Sequence, residues 1–262
     1  MLGAGLVAVF APLIVPYNPI DQDYLVVLQQ PSLRHWLGTD PLGRDILSRI
    51  VYGTRISMMA GTISIAIAVF IGTPFGILAG FVGGWFDHLA SMLVDSMMSF
   101  PPLVLALGIT AALGPSLVNV MIAIGFVYIP YFARLARGQT LQVRQRDHIA
   151  AATSIGASAP RIIMRHVLPN ILNPIIVQST INVAFAMLWE ASLSFLGVGV
   201  QPPTPSWGSM LREGYGYIYL AWWVALPGGV AIVVVVLGFS LLGDNLRDAL
   251  DPSFVHADLD RE

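Results

Sequence analysis

The sequence predicts an all-α, polytopic membrane protein with about six transmembrane helices. Hydrophobic residues make up 56% of the 262 residues and charged residues only 11%, whereas soluble domains carry roughly 25% charged residues. The apolar stretches have helical length, while the strands of a membrane β-barrel would alternate over about ten residues. The net charge of -2 gives no general attraction to nucleic acid, so no nucleic-acid partner is expected.

The first apolar stretch, residues 1–17, reads MLGAGLVAVFAPLIVPY. It is short for a span, because a helix needs about 20 residues to cross the hydrocarbon core. A signal peptide is the alternative, but the stretch has no positive n-region and no clear small-residue cleavage site. We therefore predict a transmembrane helix with part of it upstream of Met1. With the polar, extracytoplasmic segment that follows, it forms a predicted N-terminal region, residues 1–53.

Five further apolar stretches complete the predicted bundle. They cover residues 54–83, 89–113, 115–136, 170–199 and 219–243. Pro101 and Pro102 are predicted to end or bend the third span, because proline lacks the backbone N–H that a helix interior needs. The predicted transmembrane domain covers residues 54–245, and residues 246–262 form a predicted cytoplasmic tail.

The arginine distribution predicts the orientation. Six spans place both termini and the second and fourth connections on one side of the membrane. That side carries eight arginines and the other side five, and the more positive side is normally cytoplasmic. We therefore expect both termini and residues 137–169 in the cytoplasm. The eight are Arg134, Arg137, Arg144, Arg146, Arg161, Arg165, Arg247 and Arg261, and the five are Arg34, Arg44, Arg49, Arg55 and Arg212.

Two residue types are missing from the sequence. All 13 basic residues are arginine, and a phosphate-binding P-loop requires a lysine. We therefore expect no cofactor on this chain and ATP–Mg only on a partner subunit. Cysteine is absent, which excludes disulfides, thiolate metal sites and a cysteine nucleophile. Neither a metal-binding histidine motif nor a nucleophile elbow occurs, so the prediction is a protein that is not an enzyme.

Residues 148–170, HIAAATSIGASAPRIIMRHVLPN, form one of the few charged segments. Gly156 is predicted to end a first short helix at C′. Ser158 is predicted to cap a second helix, with Pro160 in its first turn. A pair of amphipathic helices lying on the membrane surface is the alternative. Three alanines remove side-chain bulk from the first helix, so that another surface can approach its backbone: Ala150, Ala151 and Ala152.

This segment resembles the cytoplasmic signature of ABC importer permeases: Glu-Ala-Ala, three residues, Gly, nine residues, Ile, one residue, Leu-Pro. Ala150 stands where the signature has glutamate, and His166 where it has isoleucine. In that family the segment is the coupling helix, which docks into a groove on the ATP-hydrolysing subunit. The resemblance therefore implies an ATPase-coupling role for Ala150, Ala151, Ala152, Gly156, Leu168 and Pro169.

Three longer motifs narrow the resemblance. HWLGTDPLGRDILSRIVYGTRIS, EASLSFLGVGVQPPTPSWGSML and LLGDNLRDALDP resemble the second permease of dipeptide, oligopeptide and glutathione importers, within the peptide and nickel branch. The resemblance implies a type I ABC importer permease fold with cytoplasmic coupling helices, in a bacterial or archaeal cytoplasmic membrane. The implied substrates are di- or oligopeptides, with glutathione and nickel chelates as alternatives. The implied partners are a homologous permease, two ATP-binding subunits, an extracytoplasmic substrate-binding protein and membrane lipid.

Two acidic residues lie within predicted spans, where ionisable groups are costly and tend to face the bundle interior or a water-filled path. For Asp95, a pathway role and a structural hydrogen bond are both open. For Glu190, which begins the EASLSFLG run, the structural interpretation is favoured. A secondary transporter driven by ions is the rival from another class, with these two residues as its only basis.

Two other patterns concern packing. Gly72, Gly76 and Gly80 recur at a spacing of four residues, which lets transmembrane helices approach closely; packing within the chain is the favoured interpretation. The loop at residues 200–218 contains Trp207, Tyr215 and Tyr217. We expect these aromatic side chains to anchor at the membrane interface or to meet an extracytoplasmic partner.

Overall fold

The computed structural model describes residues 2–250, with side chains from residue 5 onward. In this part of the chain the regular structure is helical, apart from one isolated bridge between Thr39 and Asp45. The predicted tail at residues 246–262 lies outside the described residues beyond Leu250. The helices are α1 (Leu2–Ile14), α2 (Ile46–Val82), α3 (Gly84–Met98), α4 (Pro102–Leu113), α5 (Leu117–Arg144), α6 (Asp147–Ser154), α7 (Ala159–Ile162), α8 (Leu168–Phe195), α9 (Trp207–Tyr215) and α10 (Leu226–Leu250).

Two shorter helical stretches complete the secondary structure. A π-helical stretch, Ile163–Val167, joins α7 to α8 without a break, so that helix is continuous over Ala159–Phe195. A 3₁₀ turn, Trp222–Val224, precedes α10. Within the described residues, four helical stretches are long and apolar enough to cross a membrane.

Among residues 2–250, fewer stretches than the predicted six have the length and composition of a span. The four long stretches become five if the bent pair of α3 and α4 counts as one span. The N-terminal helix α1 is shorter than a span. The prediction that a proline pair ends or bends the third span is confirmed, because α3 and α4 meet at 85° across the break that contains Pro101.

Two helix boundaries differ from the prediction for identifiable reasons. Helix α2 begins at Ile46 rather than at residue 54, because Asp45 caps it: the Ser48 N–H and the Ser48 hydroxyl both donate to Asp45 Oδ2, at 2.8 and 2.7 Å. Helix α10 begins at Leu226 and continues through polar residues to Leu250. The predicted span at residues 219–243 therefore starts too early and ends too early.

The chain forms two compact units, and four of the long helices contribute to both. The first unit consists of the chain up to Ser64, Leu103–Ile124 and Val183–Phe239; the second consists of Ile65–Pro102, Gly125–Asn182 and the chain from Ser240. Each contains one of the charged regions that concern function.

Close packing of α2 on α5 forms the core of the second unit. A Cβ atom at Gly72 or Gly76 would meet backbone atoms of α5 around Ala133, and one at Gly80 would meet the backbone of Arg137. The glycine stripe therefore packs within the chain, which confirms the favoured interpretation of its spacing. Small residues at helix interfaces allow this approach in membrane proteins.

Candidate coupling segment and charged clusters

The segment at residues 148–170 begins with α6 and turns at Gly156. The backbone of Gly156 has φ 79°, which a glycine adopts without a Cβ clash. The Ala157 N–H donates to the Ala152 carbonyl at 3.0 Å, and the Gly156 N–H donates to the Thr153 carbonyl at 3.0 Å. These two bonds form a Schellman motif, so the predicted end of the first helix at Gly156 is confirmed.

The second helix starts as predicted but without the predicted side-chain cap. Ser158 has the extended backbone conformation of an N-cap residue, and Pro160 lies in the first turn. The Ser158 hydroxyl accepts no capping hydrogen bond, so that part of the prediction is wrong. After Ile162 the helix widens into the π stretch and continues into α8. The turn at Gly156 is thus followed, after Ala157 and Ser158, by a helix that is continuous over Ala159–Phe195.

The three alanines do not share one face of α6. Ala150 and Ala151 are exposed, whereas Ala152 is buried. Successive residues on an α-helix lie about 100° apart, so three in a row cannot all face a partner. Ala152 therefore packs inside this chain, and only Ala150 and Ala151 are exposed to a docking partner.

The end of α6 presents an apolar side chain to the outside. Ile155 is 86% exposed and stands immediately before the turn. Further along, Leu168 is partly buried and Pro169 is exposed. Together with the two exposed alanines, Ile155 forms a small surface of low bulk with one protruding apolar group. Such a surface suits a groove on another protein.

The surroundings of this surface are basic. Between Arg137 and Asn170 the only acidic residue is Asp147. Arg161 and Arg165 are exposed, and neither forms an ion pair with another described residue. The rings of His148 and His166 lie 5.9 Å apart between centroids and connect α6 to the π stretch. His166 therefore contacts its own chain at the position where the signature has isoleucine.

Asp95 lies on α3 and pairs with an arginine of α5. Its Oδ1 accepts from Arg134 Nη2 at 2.5 Å, with the two side chains 64% and 52% exposed. A second pair lies beside it: Asp87 accepts from Arg137 Nε and Nη2 at 2.5 and 2.7 Å. Neither arginine partner was predicted from the sequence. Asp87 and Asp95 are eight residues apart and Arg134 and Arg137 are three apart, so each pair lies on roughly one face of its helix. This matched spacing is the feature of the sequence that indicates two ion pairs between the helices.

Glu190 is completely buried in α8, in the first unit. Its carboxyl group accepts from the Ser57 hydroxyl of α2 at 3.0 Å and from the Ser194 hydroxyl at 2.7 Å. The same Ser194 oxygen accepts from the Val200 N–H at 3.0 Å. Glu190 therefore connects α2, α8 and the loop after α8 through hydroxyl groups. Buried polar groups normally satisfy their hydrogen bonds in this way.

A buried cluster of four charges was not predicted. Arg44 Nε donates to Asp40 Oδ2 at 2.6 Å, and Arg44 Nη2 donates to Glu213 Oε2 at 2.7 Å. Arg49 Nη1 lies 3.2 Å from Asp40 Oδ2, and Arg49 Nη2 lies 3.0 Å from Glu213 Oε2. Asp40, Arg44 and Arg49 are each at most 3% exposed. The cluster ties the segment before α2 to α9, and its formal charges cancel.

The aromatic residues near α9 divide into two groups. Trp207 is only 2% exposed. Its indole N–H donates to the Ile50 carbonyl at 3.1 Å, so the expectation that it anchors at the interface or meets a partner is wrong. Gly53 makes room for the ring, since a Cβ there would approach the indole closely. Tyr215 remains exposed and available for either role.

Comparison with known proteins connects these features to a family. A model of the family described as "Binding-protein-dependent transport system inner membrane component" matches residues 72–256. The dipeptide transport system permease protein DppC of Alkalihalophilus pseudofirmus is 47% identical over 94% of this chain and 81% of the relative. The glutathione transport system permease protein GsiD of Escherichia coli O1:K1 is 46% identical over 94% of this chain and 82% of the relative.

A solved structure has the same fold. A chain of the methionine ABC transporter MetNI, in an inward-facing conformation, superposes with a TM-score of 0.65. The match covers 79% of this chain and 98% of the MetNI chain at 19% sequence identity. The predicted type I importer permease fold is thereby confirmed.

Proposed function

The chain belongs to the inner-membrane components of binding-protein-dependent transport systems, a family of ABC permease subunits, and from this premise we propose that it couples the import of peptides to ATP hydrolysis on a separate subunit. As a member of that family it is a multi-pass membrane permease that works with a partner permease and an ATPase. The proposal adds the substrate class, the coupling surface and the orientation.

The observation that carries the coupling role is the exposed apolar side chain of Ile155. Ile155 is 86% exposed, and exposing an isoleucine side chain to water is unfavourable. Burying it in a partner would stabilise the complex by roughly 1.5–3 kcal/mol. Ala150 and Ala151 beside it add no bulk that would hold a partner away. The coupling surface therefore consists of Ala150, Ala151 and Ile155, while Gly156 fixes its direction. Leu168 and Pro169 continue the segment into α8.

The substrate class rests on the relatives. They include a dipeptide permease and a probable D,D-dipeptide permease of Escherichia coli K12, which is 43% identical over 94% of this chain. Glutathione permeases are of similar identity, so glutathione, itself a short peptide, is the second candidate. We assign short peptides as the class that includes both.

The orientation follows from the arginine bias, which the buried charge cluster sharpens. Arg44 and Arg49 were two of the five arginines counted on the outer side, and both are neutralised by internal partners. On the inner side Arg134 and Arg137 are likewise paired, with Asp95 and Asp87, so without these four arginines the bias becomes six to three. We therefore assign the coupling surface to the cytoplasm. With α1 (Leu2–Ile14) taken as the first of six spans, both termini lie on that same side. Residues 1–53 then provide the N-terminal transmembrane helix and the extracytoplasmic segment after it, and residues 54–245 the transmembrane domain.

The proposed complex contains this chain, a homologous permease, two ATP-binding subunits and an extracytoplasmic substrate-binding protein, all within membrane lipid. Within the chain, the hydrogen bonds of Glu190 support a structural role that joins three segments. The half-exposed ion pair of Asp95 supports a role at a water-accessible surface. No further cofactor is needed on this chain, because ATP–Mg would bind the ATPase subunits.

The test is reconstitution of the complete complex in lipid vesicles with its binding protein. We expect ATP-dependent accumulation of labelled dialanine, competed by other short peptides. The variant Ile155→Asp should lose ATPase co-purification and uptake. Leu33→Asp, which changes an equally apolar, 99% exposed residue outside the coupling segment, should keep the ATPase bound.

Two results would contradict the proposal. If Ile155→Asp retained the ATPase subunits and stimulated hydrolysis, the coupling surface would lie elsewhere. If the wild-type complex accumulated neither dialanine nor glutathione, the substrate class would be wrong. A complex that imports glutathione but not dialanine would decide between the two candidates.

A further inference from the structure

A small cavity lies beside the ion pair of Asp95 and Arg134. Its volume is about 150 Å³, and residues of α2, α3 and α5 line it. Small residues form part of the wall, including Gly76, Ala90 and Ala133, and the larger side chain of Phe75 forms another part. This volume would hold about five water molecules. It is smaller than the roughly 300 Å³ of pockets that enclose drug-sized ligands. The cavity suits one end of a ligand or a very small one.

The polar groups of the cavity carry both signs of charge. Asp95 contributes a carboxylate and Arg134 a guanidinium, which pair with each other at 2.5 Å. Arg137 contributes a second guanidinium, which is paired with Asp87. Ser91 also lines the cavity, and its hydroxyl oxygen is buried with no hydrogen-bond partner in the described part of the chain. A buried hydroxyl normally has a partner. The unpaired hydroxyl next to two opposite charges points to a polar ligand.

The neighbouring ion pair shows which charges are available to a ligand. Asp87 and Arg137 form two hydrogen bonds, and their side chains are 16% and 34% exposed. Asp95 and Arg134 form one hydrogen bond and are 64% and 52% exposed. The first pair therefore holds α3 against α5, while the second leaves both side chains open to a further contact.

We propose that this cavity is a subsite for the charged termini of a short peptide. The α-ammonium group would replace Arg134 at the Asp95 carboxylate. The α-carboxylate would replace Asp95 at the Arg134 guanidinium, and the Ser91 hydroxyl would donate to it. Because Asp87 neutralises Arg137, the charges left to a ligand are those of Asp95 and Arg134, which sum to zero and favour a zwitterion over a ligand of one sign. The proposal rests on the proposed function, since it concerns peptides at the end of α5 that leads to the coupling segment.

The experiment measures binding of labelled dialanine to the purified complex of permeases and ATPases without the binding protein. We expect saturable binding that N-acetyl-dialanine amide, with both charges blocked, does not compete. Asp95→Asn and Arg134→Gln should each weaken binding at least tenfold, and Ser91→Ala several-fold. Asp244→Asn and Arg247→Gln, which remove the same charges from exposed positions on α10, should bind like the wild type.

The charge-swapped double variant Asp95→Arg with Arg134→Asp guards against loss of folding. It restores an ion pair, and a zwitterion can bind it in the reverse direction, so binding should recover to within a few-fold. Equal binding by the single variants, or equal competition by the blocked peptide, would overturn the subsite. Loss of the partner permease from the single variants would assign the pair to subunit contact and also overturn it.

Failure of this subsite differs from failure of the proposed function. If the wild-type complex imports dialanine while the single variants bind it unchanged, only the subsite is wrong. If the wild-type complex neither imports nor binds short peptides, the proposed substrate class is wrong.

Discussion

Two arginine-rich regions of the molecule use the same residue type in opposite ways. In the buried cluster, Arg44 and Arg49 each contact two carboxylates and are at most 3% exposed. In the coupling segment, Arg161 and Arg165 are exposed and have no ion-pair partner among the described residues. The first region cancels its charges internally, whereas the charges of the second are not paired by any described residue. Counting arginines alone does not separate these uses.

The energetic consequences differ accordingly. Removing one member of a buried charge network leaves its partner buried without compensation, which typically costs 3–5 kcal/mol. Changing an exposed charge normally alters stability by less than about 0.5 kcal/mol. The two regions should therefore separate folding from coupling, and substitutions can test that separation directly.

The largest effect is expected for Arg49→Met. The variant leaves Asp40 and Glu213 with one cation instead of two, so unfolding should become easier by about 3–5 kcal/mol. We expect a large drop in the amount of monodisperse protein recovered from membranes, measured by size-exclusion chromatography of a fluorescent fusion. Arg34→Met, which changes an exposed arginine in the same segment, should leave the yield near normal. A well-folded Arg49→Met protein would show that the cluster contributes little to folding.

A smaller effect on folding and a large one on coupling is expected for Gly156→Val. No atom lies within 4 Å of a Cβ at this position, so the cost is backbone strain, about 1–2 kcal/mol. Membrane abundance should stay near normal, while substrate-stimulated ATP hydrolysis should be lost because the coupling surface turns away. Gly156→Asn, which tolerates a positive φ, should keep most of the activity. Full coupling in Gly156→Val would remove the turn from the mechanism.

The double variant Arg161→Gln with Arg165→Gln should be milder still. Thermal stability should not change measurably, because both side chains are exposed. Binding of the ATPase should weaken several-fold at low salt, and the difference should vanish at high salt, where exposed charges are screened. Surface plasmon resonance over a salt series measures this. A difference independent of salt would show that the arginines act by shape rather than by charge.

Single cysteines should report orientation with almost no effect on transport. The chain has no native cysteine, Ser158 is exposed, and Tyr219 is fully exposed. An impermeant thiol reagent applied to intact cells should label Tyr219→Cys but not Ser158→Cys. Labelling of Ser158→Cys from outside would reverse the proposed topology, and with it the side on which the coupling surface lies.

The sequence was sufficient for features that depend on local chemistry. The turn at Gly156 was predictable because a glycine between two short helical patterns commonly ends the first helix at C′. The break near Pro101 was predictable because proline cannot continue a helix. The charge cluster was not predictable, because Arg49 and Glu213 are separated by 164 positions in the chain. The burial of Trp207 follows from its contact with Ile50, which is equally remote in sequence.

Helix ends were predicted poorly where polar residues belong to helices. Asp45 is an N-cap with a serine three residues later, a recognisable start signal, but the surrounding polar residues suggested a loop. At the other end, Asp244 and Arg247 continue α10, although hydropathy falls there. Hydropathy locates the part of a helix that meets lipid and does not locate its ends.

The π stretch between α7 and α8 changes the phase of the helix. A π turn holds one residue more than an α turn, and one residue corresponds to about 100° of rotation and 1.5 Å of rise. The direction in which Gly156 and Ile155 point is therefore determined by a residue count along Ile163–Val167, as much as by the chemistry of the coupling segment. A relative that lacks one residue in this stretch would keep the same coupling side chains but present them in a different direction around the helix axis.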